Sequence, residues 1–221
     1  ARLSGEGWLS VLVLVWTGLL IAFYDFCGKY LVAMGLLVLG LIRFFHALVP
    51  VPHVLVIWHP LLLLNHVTIL SVLCYVWEEK RPPITPLHRW AIAGGLVLEN
   101  LLVLGVVWWR VVRPAGWSAL GVEPALFWPA GAAALFMLVV WWIRWRSPNP
   151  RSAGQKAMLY GLLWLILYDA LFVAAYVSLL AGLGLFLLLP VAWLCVQIMR
   201  AWSQLLLLPR PGDYRRARGE L

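Results

Sequence analysis

The stretch Trp90–Trp109, WAIAGGLVLENLLVLGVVWW, decides the fold class. It runs for twenty residues with Glu99 as its one ionisable side chain. At a rise of about 1.5 Å per residue, such a helix reaches across the ~30 Å hydrocarbon core of a bilayer. Six more apolar runs of similar length lie near Gly7–Phe23, Tyr30–Val49, Pro60–Trp77, Ala125–Ile143, Ala157–Leu180 and Gly182–Met199. The run ending at Trp77 has an open start, because Val54–Trp58 is also apolar. His59-Pro60 marks a helix start or a kink there, since proline lacks an amide donor and restricts the residue before it. The expected architecture is all-α, a polytopic transmembrane bundle of about seven helices. It occupies residues 1–205, and 206–221 form a basic cytoplasmic C-terminal tail.

Composition agrees. Hydrophobic residues make up 64% of the 221 and charged residues 12%, against about half and about a quarter in soluble domains. A soluble core of this size has no room for so much apolar surface. The net charge of +8 does not point to nucleic acid. The basic residues sit in short segments between apolar runs and at the C-terminus, as topology signals and contacts to anionic headgroups do. Cys27, Cys74 and Cys195 are too scattered for a disulfide framework or a cysteine metal site. The sequence opens at Ala1, without methionine, and no small-residue cleavage site follows the first apolar run. A start partway through a longer protein fits this at least as well as processing.

With seven spans, one side receives Lys29, Lys80, Arg81, Arg89, Arg144, Arg146, Arg151, Lys156, Arg200, Arg210, Arg215, Arg216 and Arg218. The other side receives Arg2, Arg110 and Arg113. Thirteen against three places the N-terminus outside and the C-terminus in the cytoplasm, in a cell (inner) membrane. Trp58, Trp77, Trp108, Trp109, Trp117, Trp141 and Trp142 fall near predicted helix ends, where indole rings favour the interface.

A charge in hydrocarbon costs at least a few kcal/mol, so ionisable groups inside spans should face a cavity or a partner. Here these polar positions are Arg43, His46, Asn65, His66, Glu99, Asn100 and Asp169. Arg43 and His46, three apart, share a helical face. Glu99 and Asp169 lie mid-span, so pairing with Arg43, or protonation, is expected. Either a buried ion pair pins helices together or these residues line a substrate cavity. His46, His53, His59 and His66 follow at spacings of seven, six and seven. The pattern speaks against haem: only His46 and His66 lie well inside two different spans. In the loop Glu78-Glu79-Lys80-Arg81-Pro82-Pro83, adjacent carboxylates at a helix end suit Mg2+, while Lys80, Arg81 and Arg89 suit phosphate oxygens. A solvated charged loop is the plain alternative.

Several strings, in order, resemble the later part of UbiA-type intramembrane prenyltransferases, particularly the small bacterial UbiA-like branch. Tyr24-Asp25-Phe26-Cys27-Gly28-Lys29 resembles the family's Tyr-(Pro/Asp)-x-x-x-Lys loop. Gly40-Leu41-Ile42-Arg43-Phe44-Phe45-His46 is similar to its Gly-Leu-x-Arg-x-x-Asn string, with histidine for asparagine. His66-Val67-Thr68 leads to the acidic loop at Glu78-Glu79, and Leu167-Tyr168-Asp169-Ala170 resembles a Leu-Asp-Ala string. The resemblance implies an isoprenyl diphosphate substrate bound by Tyr24, Lys29, Arg43, His46, Lys80 and Arg81, with Mg2+ on Glu78 and Glu79. Three departures stand out. The family's first aspartate-rich motif is not among these residues, glutamates replace the spaced aspartates of the second, and four spans follow the acidic loop where the family has three.

The expected function is therefore binding of an isoprenoid or other long-chain lipid, with prenyl transfer to an acceptor as the reaction implied by the family. A non-catalytic subunit or assembly factor that packs membrane partners is the alternative from another class. A proton-coupled transporter is the third.

Overall fold

The computed structural model describes residues 6–50, 57–120, 122 and 124–206. Arg2, His53, the apolar residues 54–56 and nearly all of the proposed tail lie outside them. Among the described residues eight helices carry the fold: α1 (Glu6–Phe26), α2 (Val32–Leu48), α3 (Trp58–Trp77), α4 (Pro86–Val107), α5 (Phe127–Arg146), α6 (Pro150–Tyr176), α7 (Leu179–Phe186) and α8 (Leu188–Leu206). Counting α7 and α8 as one span, six segments are long and apolar enough to cross a membrane, and α2 is a shorter apolar seventh. The chain is an all-α, multi-pass membrane bundle.

Local chemistry explains where the helices depart from the apolar runs. α6 opens seven residues before Ala157, because the Asn149 side chain accepts the Ser152 amide at 2.8 Å and Pro150 follows at the first helical position. Both are helix-start signals that hydropathy does not register. It closes at Tyr176 instead of Leu180, since Ser178 caps α7 by accepting the Ala181 amide at 3.1 Å. The last run splits at Leu187, where Pro190 has no N–H to return to the preceding turn. α4 continues through a π-helical turn, Trp108–Val112, to Ala115, and Gly116 ends it with φ of +80°.

α3 is the central helix, packed between α2, α4 and α6, all in the antiparallel sense its connections dictate. Small residues set the approach distances. A Cβ on Gly40 of α2 would overlap the Thr68 hydroxyl of α3, and one on Gly161 of α6 would overlap Leu70. Close backbone approach of this kind replaces the hydrophobic driving force that lipid does not supply between helices. α5 packs along α6 and also reaches α3, with Phe136 and Val140 against Ala157, Leu70 and Cys74 and the Trp164 indole donating to the Ala132 carbonyl at 3.1 Å. Large apolar side chains such as Trp16, Leu98, Leu101 and Leu180 stand exposed on the outer faces and face the lipid.

Polar groups inside the bundle are mostly paired. Asn65 and Asn100 exchange amide hydrogen bonds between α3 and α4 at 2.8 and 3.0 Å. Each also donates its second N–H to the carbonyl one turn back, Leu61 or Leu96, at 2.8 Å. Replacing one by leucine strands the other's donor and acceptor in an apolar setting. Each single change is expected to cost about 1–2 kcal/mol, and the double change less than the sum, with a coupling of about 1 kcal/mol. A double-mutant cycle of unfolding in micelles reads this; strict additivity would show that the pair does no work.

Candidate functional site

Polar chemistry gathers at both ends of the bundle. The first end carries the turns α1–α2, α3–α4 and α5–α6, and hence Lys29, Lys80, Arg81, Arg89, Arg144, Arg146, Arg151 and Lys156. Val32 packs there with Tyr75 and Ile84. α3 stops in two reverse hydrogen bonds, Lys80 N–H to Tyr75 O and Glu79 N–H to Val76 O, both at 3.2 Å. The stop forces Glu79 to φ of +52°, a left-handed position where glycine is usual. Glu78 lies over the start of α6, its Cγ 2.9 Å from where a Gly154 Cβ would stand. Its carboxylate pairs with Lys80 at 3.1 Å. Glu79, Lys80 and Arg81 are exposed, and the Tyr75 hydroxyl secures the loop by donating to the Pro82 carbonyl at 2.7 Å. Tyr24 is in the last turn of α1, and Lys29 lies over the Tyr30 ring.

From this end a crevice of about 340 Å³ runs between α3 and α4. Val76, Ile84 and Arg89 line it near the loop, and Val72, Ile92, Leu96 and Thr68 continue it to mid-span. Its walls are apolar apart from Arg89 and Thr68, whose buried hydroxyl has no hydrogen-bond partner.

At the opposite end a larger cavity of about 610 Å³ lies among α2, α3, α6 and α7. Arg43, His46, His59 and Asp169 supply its polar wall, and Leu63, Leu165, Phe172 and Leu185 its apolar one. His59 Nε2 meets Asp169 Oδ1 at 2.7 Å. The His59 ring also packs edge-on against Phe172, with centroids 4.8 Å apart. Among the described residues Arg43 makes no ion pair. The expected pairing of Arg43 with Glu99 or Asp169 is thus corrected: Asp169 is held by His59, and one Glu99 oxygen is buried without a hydrogen-bond partner. Asp169 projects toward the first turn of α3, which the α3–α6 pairing brings opposite it, while Arg43 approaches from α2.

The structure therefore divides the predicted site residues. Tyr24, Lys29, Glu78, Glu79, Lys80 and Arg81 share the first end. Arg43 and His46 do not join them, since Arg43 stands eleven residues beyond Val32 along α2, or ~16 Å. His66 belongs to neither group. Its Nε2 donates to the Gly161 carbonyl at 3.1 Å, which leaves Nδ1 to accept from the Tyr168 hydroxyl at 3.2 Å. With both nitrogens engaged, it is a structural histidine. His59 is a functional candidate that the sequence marks only as one of four spaced histidines, not as a site residue. The signal was its seven-residue spacing from His66, which puts both on the α3 face toward α6.

No family model, curated protein or solved structure matches this chain. Its chemistry is therefore read from the two ends alone. The first pairs a charged loop with a mainly apolar crevice. The second pairs cationic and carboxylate groups with a wider apolar wall.

Proposed function

We propose that the chain is a UbiA-like membrane protein that binds an isoprenoid or another long-chain lipid, with transfer of a prenyl group from an isoprenyl diphosphate as its reaction. The observation that carries this reading is the α3–α4 crevice, which starts beside the loop Glu78–Arg81 and has Arg89 at its mouth. A prenyl tail suits its apolar walls, and a diphosphate suits the loop. Glu78 and Glu79 offer carboxylate oxygens, the ligand type Mg2+ takes, and its remaining positions would go to water and phosphate. Bound there, the ion supplies neutralisation of the diphosphate leaving group. Lys80 would exchange Glu78 for phosphate oxygen, with Arg81 and Arg89 beside it. The family's first aspartate-rich motif is not among these residues, so the reading rests on this loop.

The test is binding of an isoprenyl diphosphate in Mg2+ by the full chain in nanodiscs. Ile69→Trp, at an exposed crevice-lining position two turns from the end of α3, is expected to weaken binding by about tenfold or more through lost tail burial. Wild-type protein that binds no such ligand would end the proposal.

Charge supports the orientation. Among the described residues the first end carries eight cations between its helices, against Arg110 and Arg113 at the other, which supports a cytoplasmic first end in a cell (inner) membrane. Single cysteines at positions 81 and 146, in a background without the native ones, are expected to resist impermeant maleimide in sealed cells and to react after lysis. Labelling of both from outside would invert the assignment.

The little-buried faces of α1, α7 and α8 favour a second reading, a subunit that packs other membrane proteins. It takes over if diphosphate binding fails.

A further inference from the structure

We propose that the cavity among α2, α3, α6 and α7 is a second ligand site, independent of the crevice, that takes an amphiphile with an anionic head and an apolar tail. Three observations carry it. The cavity of about 610 Å³ falls in the range of small-molecule sites, ~300–1,000 Å³. Its polar groups are not in balance. Among the described residues Asp169 is the one carboxylate on the wall, and His59 already holds it at 2.7 Å. Arg43, exposed to the cavity and without an ion pair among the described residues, is left as an unmatched positive charge inside a span. Such a cation is costly in hydrocarbon, and an anionic head beside it restores neutrality with charge-assisted hydrogen bonds. His46, one turn along on the same helix, adds a second donor to the head.

The wall opposite is built for a tail. Leu63, Leu165, Phe172 and Leu185 come from three helices and present carbon to the same space. Asp169 has a second role in this arrangement. Its side chain is 48% exposed to the cavity, so it repels an anion placed deeper than Arg43 and keeps the head toward the α2 side. A carboxylate and a phosphate monoester both satisfy these groups, and the experiment separates them.

The full chain, in phosphatidylcholine nanodiscs without Mg2+, is exposed to a long-chain carboxylate carrying a diazirine in its tail, and adducts are mapped by mass spectrometry. Adducts are expected on Leu63, Phe172 or Leu185. Excess oleate or dioleoyl phosphatidate is expected to suppress them, and whichever does so names the head, while oleyl alcohol is not. Arg43→Gln should lower labelling by about tenfold, the loss of one charge-assisted contact, Arg43→Lys should restore most of it, and Arg144→Gln at the other end should not matter. If Arg43→Gln does not fold, Leu185→Trp decides, since it fills the tail region with Arg43 in place and should abolish the adducts. Adducts elsewhere, equal competition by the alcohol, or undiminished labelling of a folded Arg43→Gln or Leu185→Trp would overturn the proposal. Because Mg2+ and diphosphate are absent, its failure and that of the crevice reading are separate results.

Discussion

Replacing Glu78 and Glu79 together by alanine is expected to abolish Mg2+-dependent binding of an isoprenyl diphosphate while leaving the bundle folded. A diphosphate brings several negative charges, which two bare carboxylates would repel, so the glutamates help only through a divalent ion. Once they are gone, Lys80, Arg81 and Arg89 remain, and binding that survives should no longer respond to Mg2+. The cost to the fold should be small. Glu79 is exposed, and Glu78 contributes one pairing with Lys80 and packing over Gly154, together about 1 kcal/mol or less for a partly solvated loop. Glu79→Gly offers a cleaner single change. At φ of +52° it removes the carboxylate and relieves about 1 kcal/mol of left-handed backbone strain. A protein that is more stable yet binds less well is the expected pairing of outcomes, measured by titration with and without Mg2+ beside thermal unfolding. If the double variant binds equally well in Mg2+, the loop is a solvated turn and the subunit reading takes its place.

Gly40→Leu is expected to be the most damaging single substitution in the bundle. Even its Cβ would overlap the Thr68 hydroxyl and stand 2.8 Å from the Leu64 carbonyl. The second contact is with helix backbone, which cannot rotate away. α2 and α3 must therefore part along a seam that also holds Phe44, Leu64 and Val107, at a cost of about 3 kcal/mol or more. The overlap has a removable half: Gly40→Ala combined with Thr68→Ala should recover part of what Gly40→Ala alone loses. Gly94→Ala is the control of opposite sign. Nothing lies within 4 Å of its Cβ position, so the change should stabilise α4 by about 0.5–1 kcal/mol through helix propensity. Equal stability of the Gly40 and Gly94 variants in micelle unfolding would refute close packing at Gly40.

Hydropathy made the spans legible because lipid imposes one requirement on every segment, apolar length. It did not reveal the ends of α6 and α7, since Asn149 and Ser178 act through single hydrogen bonds to amides. The polar residues inside the spans were also legible as a set. Their partners were not, because pairing depends on how each helix is rotated about its axis. Contacts such as Gly161 on Leu70 and Gly182 on Ala174 set that rotation, and a one-dimensional pattern does not contain them. Asp169 thus meets His59, which the sequence marks as a helix start or a kink before Pro60. The loop at Glu78 was legible as charged, but not that Glu79 would occupy a left-handed position there.

The shortness of α2 bears on the surrounding membrane. Its seventeen residues rise ~25 Å, and only the eleven from Val32 to Ile42 precede Arg43, an unbroken apolar height of ~16 Å. α3 beside it runs twenty residues, or ~30 Å. Lipid tails meeting the α2 edge therefore face a mismatch of many ångströms. A bilayer answers such a mismatch by thinning locally or by letting water follow a long cationic side chain upward. The leaflet at that end is therefore expected to thin beside the cavity, bringing acyl-chain ends toward the level of Arg43.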